Sequence, residues 1–65
     1  MREKLLAFLI VKSVNDKKVQ VDISQWALEL KVNPMDLRLL LNHLQIKGEL
    51  KMWEEEGNQY INMFA

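Results

Sequence analysis

Sixty-five residues allow one domain with a thin core, since so short a chain buries only about 60% of the surface it exposes when unfolded. With no cysteine and a single histidine, His43, neither a disulfide nor a zinc site can staple it, so packing or self-association must supply the stability. Nine Lys and Arg balance nine Asp and Glu, so net charge gives no drive toward nucleic acid and a local patch would have to provide one.

The chain opens with Arg2-Glu3-Lys4, an unbroken apolar block over Leu5–Val11, and Lys12. Seven apolar residues sit at the lower limit for a secretion signal, and Lys12-Ser13-Val14-Asn15 offers no small-residue cleavage site. The block is far short of the roughly 20 residues that a membrane span needs. Its leucines and alanine favour a buried first helix of about 13 residues. Absence of cysteine fits a cytoplasmic protein.

Asn15-Asp16-Lys17-Lys18 is a polar turn, and Val19-Gln20-Val21 alternates as a short strand does. Asp22 is a natural N-cap, with Gln25 three residues on to complete a capping box, for a second helix over Ile23–Leu30. Lys31-Val32 interrupts it. Asn33 caps a third helix, Pro34 suits its first position, Asp36 favours the positive end of its dipole, and it runs to about Lys47 before Gly48 stops it. The period then falls to two. Leu50, Met52 and Glu54 alternate with Lys51 and Trp53, Glu55-Glu56-Gly57-Asn58 turns, and Tyr60, Asn62 and Phe64 alternate with Ile61 and Met63 on the return. The predicted fold is α+β, one domain over residues 1–65: three helices, a short strand and a C-terminal β-hairpin.

From Ile23 to Leu50 the order of residue types is similar to that of a known family. Trp26-Ala27-Leu28-Glu29-Leu30-Lys31-Val32, then Asn33-Pro34, Leu41, Leu44, Lys47-Gly48 and Leu50, resembles the winged helix-turn-helix superfamily of bacterial and archaeal transcription regulators. The resemblance implies that the hairpin is a wing and that the third helix reads duplex DNA. The sequence departs from the family pattern at three points. Lys31 stands where a glycine is usual, which costs about 1 kcal/mol if the backbone there is left-handed. Leu28 stands at a usually polar position. The wing tip, basic in many DNA-binding members, is Glu54-Glu55-Glu56.

At about 100° per residue, Leu37, Leu40, Leu41 and Leu44 form the core stripe of the third helix. Met35, Arg38, Leu39, Asn42 and Ile46 lie opposite, with His43 and Gln45 on the flanks. In the DNA-binding reading Arg38 contacts guanine, Asn42 adenine, and Met35 or Leu39 a thymine methyl. Phosphate contacts come from Lys31, Lys47 and Lys51, joined by Lys17 and Lys18. The acidic tip repels phosphate, so the third helix carries the work. The competing reading takes Leu28, Met35, Leu39 and Ile46 as an apolar patch for another protein.

Leu5–Val11 is apolar on every side. If Leu5, Leu6, Leu9 and Ile10 face the core, Phe8 and Val11 remain outside; if the other side faces in, Leu5 and Leu9 are left over. Either way apolar surface is exposed, which points to a homodimer with Phe8 and Val11 at its centre. Trp26, Trp53, Tyr60 and Phe64 read as core and wing packing, since the hairpin offers only Lys51 as a cation for a base-stacking face. No enzyme is expected. Ser13 and Ser24 have only His43 as a base, and Gly48 and Gly57 make no phosphate loop. No cofactor or metal is expected.

Overall fold

The structure is a computed structural model and describes residues 2–64. Its elements are α1 (Arg2–Asn15), β1 (Val19–Gln20), α2 (Ile23–Leu30), α3 (Pro34–Ile46), β2 (Lys51–Glu55) and β3 (Asn58–Asn62). The fold is α+β, three helices with a three-stranded antiparallel sheet in the order β1-β3-β2.

The helix starts follow their caps. Asp22 Oδ1 accepts from the Gln25 N–H at 3.1 Å, and Asn33 Oδ1 accepts from the Met35 N–H at 2.8 Å. Only this half of the anticipated capping box forms among the described residues, because Gln25 makes no side-chain bond back to Asp22.

Two turns of one construction bracket α3. After α2, Lys31 takes φ 58° and ψ 48°; its N–H donates to the Leu28 carbonyl at 3.3 Å and the Val32 N–H to the Ala27 carbonyl at 3.0 Å. After α3, Gly48 takes φ 77°; its N–H donates to the Gln45 carbonyl at 3.0 Å and the Glu49 N–H to the Leu44 carbonyl at 2.9 Å. Each is a Schellman turn, in which a left-handed residue lets two amides reach back to otherwise unpaired carbonyls. Gly48 adopts this conformation freely. Lys31 does so against the steric preference of its Cβ.

The hairpin closes on a two-residue loop. Glu56 and Gly57 both have positive φ, 51° and 81°, the requirement of a type I′ turn, and Glu55 pairs with Asn58. The return strand therefore begins at Asn58, two residues before the position that alternation alone suggests, and it ends at Asn62. Asn62 is buried: its amide donates to the Asp16 and Lys17 carbonyls at 3.3 and 2.8 Å, and its Oδ1 accepts from the Phe64 N–H at 2.7 Å. That local bond turns the chain out of the sheet, so Phe64 is exposed and packs neither the core nor the hairpin as anticipated.

Among the described residues the largest side chains that are almost wholly buried are Leu5 and Leu9 of α1, Leu37, Leu41 and Leu44 of α3, and Ile61 of β3. Trp26, Ala27 and Leu30 of α2 join them, with Val19 and Leu50 from the sheet side. Leu40, expected in the stripe of α3, is half-buried at its edge. β3 is central. Val19 pairs with Ile61, Met52 pairs with Ile61 from the other side, and the Val21 N–H donates to the Gln59 carbonyl.

Replacing Lys31 by Gly should raise the thermal midpoint by a few degrees. Relief of the left-handed strain is worth about 1 kcal/mol, partly offset by the freer unfolded chain. A thermal melt followed by circular dichroism checks this, with Lys31→Val, a branched side chain in the same conformation, expected to lower the midpoint.

Candidate functional site

The solvent face of α3 is set by the burial of its other side. With Leu37, Leu41 and Leu44 in the core, Met35, Arg38, Leu39, Asn42 and Ile46 all point outward. Leu28 on α2 is exposed as well. The apolar members are exposed to an unusual degree: 70% for Met35, 62% for Leu39, 83% for Ile46 and 75% for Leu28.

Arg38 also lines an open cleft of about 570 Å³, whose other walls are residues 20–24 and the hairpin segment 57–59. It is the one cation on that lining. The one carboxylate, Asp22, is engaged by the Gln25 amide as a helix cap. Lys31 stands exposed in the turn just before α3, and Lys47 stands exposed as its C-cap, so a cation flanks each end of the outward face. Such a surface can bind an extended anion along one helix while polar side chains between the cations read its edges.

Lys51 is exposed but is not among the residues that line the cleft of Arg38. It borders a different groove, of about 660 Å³, with Gln45, Gly48, Met52 and Trp53. Lys18, another anticipated phosphate contact, is committed elsewhere. Its ammonium pairs with Glu55 at 3.0 Å and lies 4.7 Å from the centre of the Tyr60 ring. Trp53 stacks on Tyr60 at 6.1 Å, and its indole N–H donates to the same Glu55 carboxylate at 2.7 Å. The aromatic pair on this sheet face therefore has a second cation beyond Lys51, supplied from the turn before β1. Nothing in the local sequence signals it, because Lys18 and Glu55 are brought together only by the pairing of β1 with β3.

This cluster also changes the meaning of the acidic run. Glu55 is held on the aromatic face of the sheet by Trp53 and Lys18, and Glu56 forms the turn itself. The indole hydrogen bond, and after it the Lys18 ammonium, holds the Glu55 carboxyl below the usual carboxylate range. The hydrogen bond to Glu55 raises the Lys18 ammonium correspondingly.

On α1, Leu5, Leu9 and Ser13 face inward, with Leu6, Phe8 and Lys12 half-buried beside them. Phe8 is not left over. Its ring meets Trp26 edge-on at 5.5 Å, and the Lys12 ammonium covers both rings at 4.8 and 5.8 Å. The anticipated dimer centre at Phe8 is thus already covered within one chain, while Ile10, Val11 and Val14 remain exposed. Ser13, considered above only as a nucleophile, is buried and accepts from the Met63 N–H at 3.2 Å. Among the described residues no group of three His, Cys, Asp or Glu could hold a metal ion, and no helix is long and apolar enough to cross a membrane.

Comparison of the chain with family models, with curated proteins and with solved structures returns no match.

The clamp on Glu55 has a defined pH window. A depressed carboxyl contributes stability above its unfolded value and loses it as pH falls through the folded one; a raised ammonium contributes below its unfolded value and loses it as pH rises through the folded one. The hairpin should therefore be held most firmly between the carboxyl and ammonium ranges. In an NMR titration of the Glu55 carboxyl, Trp53→Phe should move the midpoint back up, and further than Lys18→Met does. The reverse order would mean that the ion pair, not the indole, dominates.

Proposed function

We propose that this chain is a winged helix-turn-helix protein that binds duplex DNA, with α3 as the recognition helix and the β2–β3 hairpin as the wing, and that it regulates transcription. One observation carries the reading. Arg38 and Asn42, one helical turn apart on the outward face of α3, are both exposed, and Arg38 also lines the open cleft beside the hairpin. Arg38 suits the O6 and N7 acceptors of guanine, and Asn42 the N6 and N7 edge of adenine. Met35 and Leu39 meet thymine methyls. Lys31 and Lys47 hold phosphates at the two ends of the helix. The engagement of Glu55 by Lys18 and Trp53 lessens the repulsion that three free glutamates would exert on the DNA backbone.

A second reading has its own observation. Leu28, Met35, Leu39 and Ile46 expose more apolar side chain than a DNA-reading face needs, and patches of this kind on small domains mark contacts with another protein. In that case the same frame serves as a protein-interaction module.

Titration of labelled protein with generic duplex DNA at about 50 mM salt, where electrostatic binding is strong, separates the two. Amide shifts confined to Lys31 and Met35–Ile46 are the expected result. An absence of shifts rejects DNA as the partner, and shifts only in the hairpin reject α3 as the recognition helix. With a preferred site in hand, Arg38→Ala and Asn42→Ala should each relax discrimination at one base pair by about 1–3 kcal/mol. Lys47→Ala and Lys51→Ala should instead weaken all sequences alike. Under the protein-partner reading, Leu39→Asp or Leu28→Asp removes binding while the melting curve stays within about 0.5 kcal/mol of the parent, since both side chains are exposed.

A further inference from the structure

β2 is an edge strand, and the phase of the hairpin says which of its backbone groups are free. In a two-residue hairpin the closing pair, here Glu55 and Asn58, exchanges hydrogen bonds, and bonded pairs then alternate along the ladder. Lys51, Trp53 and Glu55 therefore direct their N–H and C=O groups at β3. Those of Met52 and Glu54 point away from it, toward the open edge. The other side of β3 has the same phase: Gln59, opposite Glu54, gives its carbonyl to Val21 of the β1 side. Among the described residues no strand pairs with the free edge of β2.

The sequence of that strand, Lys51-Met52-Trp53-Glu54-Glu55, is complementary to itself when read in the opposite direction. A two-fold axis through Trp53, normal to the sheet, sets Lys51 against Glu55 of the second copy, twice over. In the same register Met52 faces Glu54 of the second copy as a hydrogen-bonded pair, so the free groups of both strands are satisfied together. Trp53 then meets its own copy at the intervening position, where side chains come closest, and extends the existing Trp53–Tyr60 stack into four rings. Neighbouring registers lose this match. Moving the axis one residue back opposes Glu49 to Glu55, and moving it one residue forward opposes Met52 to Glu56. Parallel pairing in register would oppose each glutamate to itself.

We infer that the free edge of β2 is a self-association site, at which a second copy of this chain adds its own β2 antiparallel to form a continuous six-stranded sheet. The occupant is fixed by charge complementarity along the strand and by the phase of the free backbone groups. The same edge borders the groove of about 660 Å³ lined by Gln45, Leu50, Met52 and Met63, which lies beside the added strand. Each cross-strand pair of this type contributes roughly 1.5- to 5-fold to association. The pairing is accordingly reversible, and it needs no DNA.

Sedimentation and amide exchange on the full chain, without DNA, test the inference separately from the proposed function. With rising protein concentration, the Met52 and Glu54 amides should gain protection while those of Trp53 and Glu55, already bonded to β3, do not change. Lys51→Glu should weaken association by about tenfold or more, because two attractive pairs become repulsive. Lys51→Arg, which keeps both charge pairs, should associate to within about threefold of the parent. Circular dichroism confirms that each variant is folded. A chain that stays monomeric at all concentrations overturns the inference. So does association that Lys51→Glu leaves intact while Val11→Lys abolishes it, which would assign the interface to the exposed stripe of α1.

Discussion

The orientation of α3 rests on the left-handed residue at each of its ends. Lys31 and Gly48 let the chain reverse within a single residue while satisfying the helix-end carbonyls of α2 and α3. Every side chain of the candidate site on α3 is aimed by that constraint. If the first turn opened by one residue, Leu37, Leu41 and Leu44 would rotate by about 100° out of the core, and Met35 and Leu39 would turn toward it. Lysine is the less comfortable occupant of such a position. Burial of Trp26, Ala27 and Leu30 on one side and of Leu37 on the other outweighs its strain.

Around this frame, the polar side chains that are buried do the work that disulfides do in other small domains. Asn62 ties the end of β3 to the carbonyls of the turn after α1, and Ser13 on α1 accepts from the very next amide, that of Met63. Both are satisfied, and no buried side-chain nitrogen or oxygen among the described residues lacks a partner. The cost of burying polar groups is therefore met locally, and the net effect is to fix where α1 lies relative to the sheet.

Much of this was legible in the residues and some of it was not. Helix positions were readable because Asp22, Asn33, Pro34 and Gly48 act through local backbone chemistry that does not depend on the rest of the fold. The inward face of α3 followed from its period. The orientation of α1 did not, because a segment that is apolar all round has no face to read; Trp26 decided it by taking Phe8 as a partner. The hairpin was visible as a turn, but its register depended on a tight two-residue loop, and that shifted the return strand by two positions. The Lys18–Glu55–Trp53 cluster had no local signature. It exists only because β3 lies between β1 and β2, a pairing between residues far apart in the chain. Among the candidate site residues, those on α3 came together as their helical spacing requires, whereas Lys51 was assigned from charge alone and lines another groove.

The central position of β3 has a consequence for synthesis. Both edge strands acquire their partner only when the last strand of the sheet is made. The roughly 40 residues between β1 and β3 take about 2–8 s to translate at 5–20 residues per second. Through that interval Leu5, Leu9 and Val19 lack the Ile61 side of their enclosure. Secondary structure in α1 to α3 forms within microseconds, so the delay is set by the ribosome and not by the polypeptide. The sheet is therefore the last part of the fold to close, because its central strand is the last to be made.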